Sequence, residues 1–468
     1  MPSKRRSDSL PAKNSNFSKR DSLVVEYEET ENFVNANIIP SADDSGESDL
    51  EDTLDENVQF ESDISESEDG SDFLQKAISY DNVYENYDNC QKKLEADYVF
   101  DWKQGECNQN KTFNNEIMLS RKHESDIINS TPTELFEYFF STELKNHIIN
   151  CTIKNGHEMS VTELEVFIGI IIFTMYNQRL SQRDYWSQDP HLKAEPVASA
   201  MTRDNFENIK SKIKFHEPEY QNNADREWRV RKLTDIFRSN LIRFGIFSSS
   251  LSIDEMMLRF YGRSVLKQFI KGKPVRFGIK LWALCSSNGY LFDFEIYCGK
   301  MDNKSEKLAN CTLGSRVVIN MLQVVFRNVH LRNREDLHIY FDNLFTSPDL
   351  LVHLKKYGLV ATGTVRANRV NIKNAITEKD ERGKWEVKHE KKSGINFITV
   401  MDSKPVSLLS TAAGVTPLGK VKRRQKGKKE KKELDFPNAF MLYNQFMGGV
   451  DLHDQRCNAI EPIIRSKK

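Results

Sequence analysis

The chain has 468 residues, of which 38% are hydrophobic and 29% charged, and it carries seven cysteines. The densest apolar run, residues 166–175, is too short to span a bilayer, and the polar start has no signal-peptide core, so neither a membrane nor a secreted protein is expected. The odd number of cysteines and the lack of a C-x-x-C pair are typical of reduced intracellular thiols, and no zinc is expected.

The formal net charge of −1 conceals a strong asymmetry. Residues 1–100 hold 9 basic and 25 acidic side chains, and the rest of the chain has a net charge of +15. Low-complexity acidic sequence cannot bury enough apolar surface to offset chain entropy, so residues 1–115 are predicted to form a disordered tail. This tail is either a solvated spacer or a site for basic chromatin proteins. The basic remainder favours a polyanionic partner.

Residues 120–249 have a helical period and are predicted to form an all-α domain. Thr131 begins one apolar segment, Ser160 and Glu163 form a capping box before the next, and Thr202 is placed to cap a third. A last helix is expected over residues 227–247. No motif in this region points to chemistry.

At about residue 250 the apolar period changes from helical to strand-like. The predicted elements are strands at 251–261, 275–285 and 290–298, a helix at 308–330, a strand at 337–341, a helix at 347–357 and a strand at 359–365. This order predicts a mixed sheet, with an antiparallel meander followed by parallel strands joined by helical crossovers. Residues 366–435 are a polar, lysine-rich interruption, after which an apolar helix begins near Pro437.

Three aspartates stand out by their positions. Asp254 lies within the first strand of the sheet, Asp342 ends the fourth, and Asp451 lies in the last helix. Strand ends in such a sheet gather at one edge, and clustered carboxylates repel one another unless cations neutralise them. Two Mg²⁺ or Mn²⁺ ions held by oxygen ligands suit phosphodiester chemistry. From spacing alone, the alternative that these are ordinary cap and turn carboxylates stays open.

Two features lie next to the third aspartate. Asp454 shares a helical face with Asp451 and is either a further metal ligand or a solvated carboxylate. Gly448 and Gly449 each cost ~1 kcal/mol relative to Ala inside a helix. They therefore predict either a close backbone approach or a helix break.

Basic residues form two groups that could contact DNA phosphates. Residues 420–432 contain nine basic side chains in 13 positions, which fits both phosphate contacts and nuclear import. The other group flanks the turn between the first two strands of the sheet and the end of the last parallel strand. The candidate DNA-binding residues are Lys271, Lys273, Arg276, Lys280, Arg366, Lys420, Lys422, Arg423, Arg424, Lys426, Lys428 and Lys429.

Six ordered motifs over residues 120–468 closely resemble the piggyBac transposase family. They are Ser252-Ile-Asp-Glu-Met-Met, Tyr261-Gly-Arg, residues 271–282 (KGKPVRFGIKLW), Phe341-Asp-Asn-Leu-Phe-Thr-Ser, Ala361-Thr-Gly-Thr-Val-Arg and Tyr443-Asn-Gln-Phe-Met-Gly-Gly-Val-Asp.

The resemblance implies an α/β fold with a ribonuclease-H-like mixed-sheet core. In that core Asp254, Asp342 and Asp451 are the catalytic DDD triad and, with Asp454, the metal ligands. It implies a two-metal Mg²⁺ (or Mn²⁺) site and cut-and-paste transposition of double-stranded DNA at TTAA in the nucleus. It also implies a helical dimerisation and DNA-binding domain at 120–249, a core at 250–365 and 436–456, and an insertion domain at 366–435.

Family members continue beyond the point where this sequence stops, with further helices and usually a cysteine-rich zinc-binding module. Residues 457–468 are therefore expected to be only the start of the C-terminal part of the DNA-binding domain. Two functions follow from the resemblance. One is an active metal-dependent DNA transposase, and the other is a domesticated, non-catalytic DNA- or chromatin-binding nuclear protein that keeps the scaffold.

Overall fold

A computed structural model describes most of the chain beyond the acidic tail. The described residues are 98–107, 120–220, 222, 225–260, 262–270, 273, 275–299, 312–424 and 431–462. They all lie in one compact unit that spans residues 37–468.

Seven α-helices occupy the described residues between 120 and 249. Thr131 and Ser160 each form the reciprocal capping box with the glutamate three residues on, and Thr202 caps its helix as predicted. The helices are α1 (Arg121–Asn129), α2 (Pro132–Phe139), α3 (Thr142–Lys154), α4 (Val161–Tyr176), α5 (Glu195–Ala200), α6 (Arg203–Lys212) and α7 (Arg231–Leu241). The apolar sides of α3 to α6 enclose a core around Leu164, Phe167 and Phe206. None of the helices in the described part of the chain is both long and apolar enough to cross a membrane.

A large mixed sheet forms the rest of the fold. Its strands are β1 (Trp102–Gln104), β2 (Ser250–Arg259), β3 (Lys267–Phe269), β4 (Phe277–Ser286), β5 (Leu291–Ile296), β6 (His338–Phe341), β7 (Val360–Thr364), β8 (Trp385–Glu390), β9 (Asn396–Met401) and β10 (Pro405–Ser410). The order across the sheet is β1-β8-β9-β10-β7-β6-β2-β4-β3, and β5 also pairs with β4. The pairs β2–β6 and β6–β7 are parallel, and the other pairs are antiparallel. The predicted mixed sheet with parallel crossovers is therefore confirmed.

Helices cover both faces of this sheet. One face packs on α8 (Leu313–Met321), α9 (Gln323–Asn328) and α10 (Pro348–Lys356). The other face packs on α11 (Asn438–Phe446) and α12 (Gly449–Ala459), and α7 reaches it through Phe237. A separate two-stranded hairpin is formed by β11 (Gly419–Arg424) and β12 (Lys431–Phe436).

The structure differs from the sequence-based expectations in three places. Residues 98–107, predicted to belong to the disordered tail, include β1, because backbone pairing with β8 supplies order that the local composition does not. The predicted interruption at 366–435 contributes β8, β9 and β10 to the central sheet, because β9 and β10 carry short apolar runs that the polar composition of the whole segment concealed. The helix predicted at 308–330 is divided at Leu322, where ψ is −4°. Residues 1–97 lie outside the described part.

Candidate active site

Two of the three predicted aspartates lie on neighbouring parallel strands. β2 and β6 pair from Ser250 opposite His338 to Ile253 opposite Phe341, so the next residues along each strand are Asp254 and Asp342. Adjacent strands are separated by about 4.8 Å. Because side chains alternate along a strand, both aspartates face the side of the sheet that α11 and α12 cover.

The third aspartate reaches this place because α11 and α12 are separated at two glycines. A Cβ atom on Gly449 would lie 2.2 Å from the carbonyl oxygen of Ser286 and 2.6 Å from Ser252 Oγ, so only glycine permits α12 to begin this close to β2 and β4. Asp451 lies in the first turn of α12. The glycine pair therefore marks both a helix break and a close approach, the two alternatives predicted.

The carboxyl groups influence one another's charge. Burial raises the pKa of Asp254 well above its usual value, and the negative charges of Asp342 and Asp451 raise it further, while Lys273 opposes both effects. Burial likewise raises the pKa of Asp342 to about 6. Burial and the charge of Asp451 raise the pKa of Asp454. These charge effects link Asp254 to Asp342 and Asp451, and Asp454 to Asp451.

A lysine supplies positive charge to this cluster. Lys273 Nζ lies 3.4 Å from Asp451 Oδ1 and 3.4 Å from the carbonyl oxygen of Glu255. Among the residues that the structure describes, no three carboxylate, imidazole or thiolate groups are arranged to hold a metal ion as they stand. The donor set nevertheless fits a hard divalent cation, because it consists of carboxylate oxygens that already gather around a positive charge.

The loop after Asp342 is held by a residue that sequence reasoning missed. Asp342 Oδ1 accepts a 2.8 Å hydrogen bond from the backbone N–H of Leu344. Arg369 Nη1 donates to the carbonyl oxygens of Asn343, Leu344 and Thr346 at distances of 2.7 to 2.9 Å. The only sign of this role in the sequence was the position of Arg369. It follows β7, which pairs with β6, the strand that ends just before Asp342.

Tyr443 was also missed as a residue of this neighbourhood. It is fully buried on α11, and burial together with the charges of Asp342, Asp254 and Asp451 raises its pKa. Its hydroxyl group lies 3.5 Å from Thr364 Oγ1. The sequence showed it as an aromatic residue on an apolar helix and as the start of the last family motif, without a role of its own.

The predicted DNA-binding residues fall into three groups. Arg276 and Arg366 are exposed, and so are Lys420, Lys422 and Arg424 on one face of the β11–β12 hairpin. Lys271, Lys426, Lys428 and Lys429 lie outside the described residues. Lys273, Lys280 and Arg423 are engaged within the protein.

Two of the engaged residues need correction. Lys280 is buried, with Nζ 2.6 Å from Glu255 Oε2 and 4.1 Å from the centre of the Trp282 ring. Arg423 Nε lies 3.3 Å from Asp402 Oδ2, and its guanidinium packs over Phe436. Lys280 pairs with Glu255, and Arg423 shares Asp402 with Arg382, so both cations are held within the protein and neither is placed to contact DNA phosphate.

The exposed face of the hairpin is not uniformly basic. The cross-strand register places Lys420 opposite Asp435 and Lys422 opposite Glu433, whereas Arg424 lies opposite Lys431. The uncompensated positive charge on this face is therefore concentrated at the Arg424–Lys431 end.

Comparisons with known proteins agree with this architecture. The family model described as Transposase IS4 matches residues 131–468. Two human proteins are similar to this chain over 348 residues, or 72% of its length: PiggyBac transposable element-derived protein 3 at 32% identity and PiggyBac transposable element-derived protein 2 at 31%. The chain spans 58% of the length of each of these relatives.

A solved structure has the same fold. It is the cryo-EM structure of the piggyBac transposase synaptic complex with hairpin DNA, which superposes with a TM-score of 0.59 at 23% sequence identity. The match covers 74% of this chain and 71% of that one.

Proposed function

Because this chain belongs to the piggyBac-type transposase family, we propose that it is a metal-dependent enzyme that cleaves DNA and transfers its strands. The observation that carries this proposal is the meeting of Asp254, Asp342 and Asp451 at one sheet edge, from two parallel strands and one helix. The proposed reaction is cut-and-paste transposition at TTAA sites in the nucleus.

In this proposal Asp254, Asp342 and Asp451 hold two Mg²⁺ or Mn²⁺ ions, and Asp454 assists. Such ions, when bound, activate the attacking oxygen and stabilise the leaving oxygen of a phosphodiester. The protein supplies the positions of the ligands. Strand pairing fixes Asp254 beside Asp342, Arg369 holds the loop that follows Asp342, and the contact of Gly449 with the sheet sets the depth of Asp451.

The proposed DNA contacts come from exposed basic side chains around this edge. Arg366 Nε donates a 3.1 Å hydrogen bond to Asn343 Oδ1, so its guanidinium lies next to the loop that follows Asp342. Arg276 is exposed in the turn that also carries Lys273. The Arg424–Lys431 end of the hairpin adds a separate basic contact. Contacts of this kind position phosphates and carry no sequence information.

The test is nicking of a supercoiled plasmid that contains TTAA sites, with Mn²⁺ or Mg²⁺, by the full chain. Asn substitutions at Asp254, Asp342 or Asp451 should each abolish nicking while the protein remains folded. Asp204→Asn is the matched control, because that carboxylate is exposed on α6 and its side chain is 85% accessible. Nicking by Asp254→Asn at the wild-type rate would contradict the proposal. Integration junctions that lack TTAA would contradict only the proposed target specificity.

A second candidate is a non-catalytic DNA- or chromatin-binding protein. It is favoured by the Arg424–Lys431 end of the hairpin, whose charge does not depend on the aspartates. Its signature would be binding without nicking, with an affinity that falls steeply as salt rises. Removing one phosphate contact by Arg424→Ala should reduce the slope of log K against log salt by about 0.9. Binding that is independent of salt would contradict this candidate.

A further inference from the structure

Lys273 lies in the turn between β3 and β4, and its ammonium group points toward the aspartates rather than into solvent. Its side chain is 24% accessible, although the Asp451 carboxylate that it meets at 3.4 Å is 64% accessible. The second contact, to the carbonyl oxygen of Glu255, ties the ammonium to the strand that carries Asp254. The group therefore bridges β2 and α12.

A second lysine, Lys280, explains why Lys273 does not pair with the carboxylate of Glu255. The carboxylate of Glu255 is occupied by Lys280, whose Nζ lies 2.6 Å from Glu255 Oε2. The ammonium of Lys273 is directed instead to Asp451, with Nζ 3.4 Å from Oδ1.

Carboxylates gathered at one place repel one another where solvent is partly excluded. A metal-free protein must offset that repulsion to keep its ligands together. Lys273 supplies positive charge between the strand that carries Asp254 and the helix that carries Asp451 and Asp454. A divalent cation bound by these carboxylates would compete with the ammonium for the same oxygens.

We propose that Lys273 is an internal counter-ion that holds the aspartates together in the metal-free protein and is displaced when a divalent cation binds. This inference rests on the proposed metal-dependent function. It makes the affinity for metal depend on a residue that is not itself a ligand.

The test is calorimetric titration of Mn²⁺ into the full chain, comparing wild type with Lys273→Met. Removing the competitor should tighten Mn²⁺ binding by about tenfold or more, because every tenfold requires only about 1.4 kcal/mol. Without metal the variant should unfold at a lower temperature than wild type, and added Mn²⁺ should close that gap. The matched control is Lys267→Met on β3, since Lys267 Nζ lies 5.5 Å from the centre of the Phe277 ring. Its Mn²⁺ affinity should remain within twofold of wild type.

A measurement on the wild-type protein decides the matter even if Lys273→Met does not fold. Reductive methylation followed by mass spectrometry should label Lys273 slowly without metal and faster with Mn²⁺, while Lys267 labels equally in both conditions. Unchanged labelling of Lys273 on Mn²⁺ binding would overturn the inference, as would equal or weaker Mn²⁺ binding by the variant. In either case the proposed function would stand. If neither protein bound Mn²⁺, both proposals would fall.

Discussion

The position of Asp451 depends on the absence of a side chain at Gly449, two residues before it. In Gly449→Ala the new Cβ would lie 2.2 Å from the carbonyl oxygen of Ser286, whereas carbon makes its best contacts at about 3.5 Å. The start of α12 must therefore move away from the sheet by about 1 Å. Overpacking of this kind costs about 1–3 kcal/mol, against a gain in helix propensity of at most ~1 kcal/mol.

We expect a net loss of about 1–2 kcal/mol in the free energy of unfolding. We also expect metal-dependent nicking to fall by about 100-fold, the cost of a 1 Å misplacement of a reacting group. Urea denaturation measures the first effect, and the plasmid assay measures the second.

Gly169 offers a matched control inside another helix. It is exposed on α4, and a Cβ there would meet nothing within 4 Å. Gly169→Ala should therefore be more stable than wild type by up to ~1 kcal/mol and nick normally. If Gly449→Ala matched Gly169→Ala in both stability and nicking, the argument that the glycine sets the depth of Asp451 would be refuted.

Two further predictions concern the elements around the site. Burial lowers the pKa of His338 to about 3, so below pH ~6.5 the unfolded chain binds a proton that the folded chain does not, and stability should fall by up to ~1.4 kcal/mol per pH unit. Urea denaturation at pH 7 and pH 5 should show a smaller difference for His338→Gln than for wild type, and an equal difference would contradict the assignment. Arg369→Lys loses the guanidinium hydrogen bonds to the loop after Asp342 and should lower the free energy of unfolding by about 1.5–3 kcal/mol. Arg366→Lys, at an exposed residue with a hydrogen bond to Asn343, is its control, and equal losses in the two variants would argue against a positioning role for Arg369.

Much of the architecture could be predicted because its signals are local. The change of apolar period at about residue 250 indicated the start of the sheet, and the capping residues Thr131, Ser160 and Thr202 begin helices as expected. The glycine pair before Asp451 indicated either a break or a close approach, because a helix interior does not otherwise tolerate it, and the structure has both.

The rest depended on partners that lie far away in the sequence. A lysine-rich segment has the same composition whether its side chains face DNA or a buried carboxylate, so Lys280 and Arg423 could not be distinguished from Arg276 and Lys422. Lys273 was predicted to contact phosphate because its charge was visible, whereas Asp451, its partner, lies 178 residues further along. The roles of Arg369 and Tyr443 arise only from the folded arrangement.

The short strand β1 has a consequence for how the sheet is completed. In the β1–β8 pair Trp102 lies opposite Glu390. This outer pair of strands therefore brings together residues that are separated by most of the described chain. Contacts of such long range form slowly, and this ladder cannot close until the ribosome has released residue 390. Until β1 pairs with it, β8 presents an unpaired edge, the kind of surface on which a second chain can add a strand. Residues 102–104 therefore cover an edge of the sheet that would otherwise be open to pairing with a second chain.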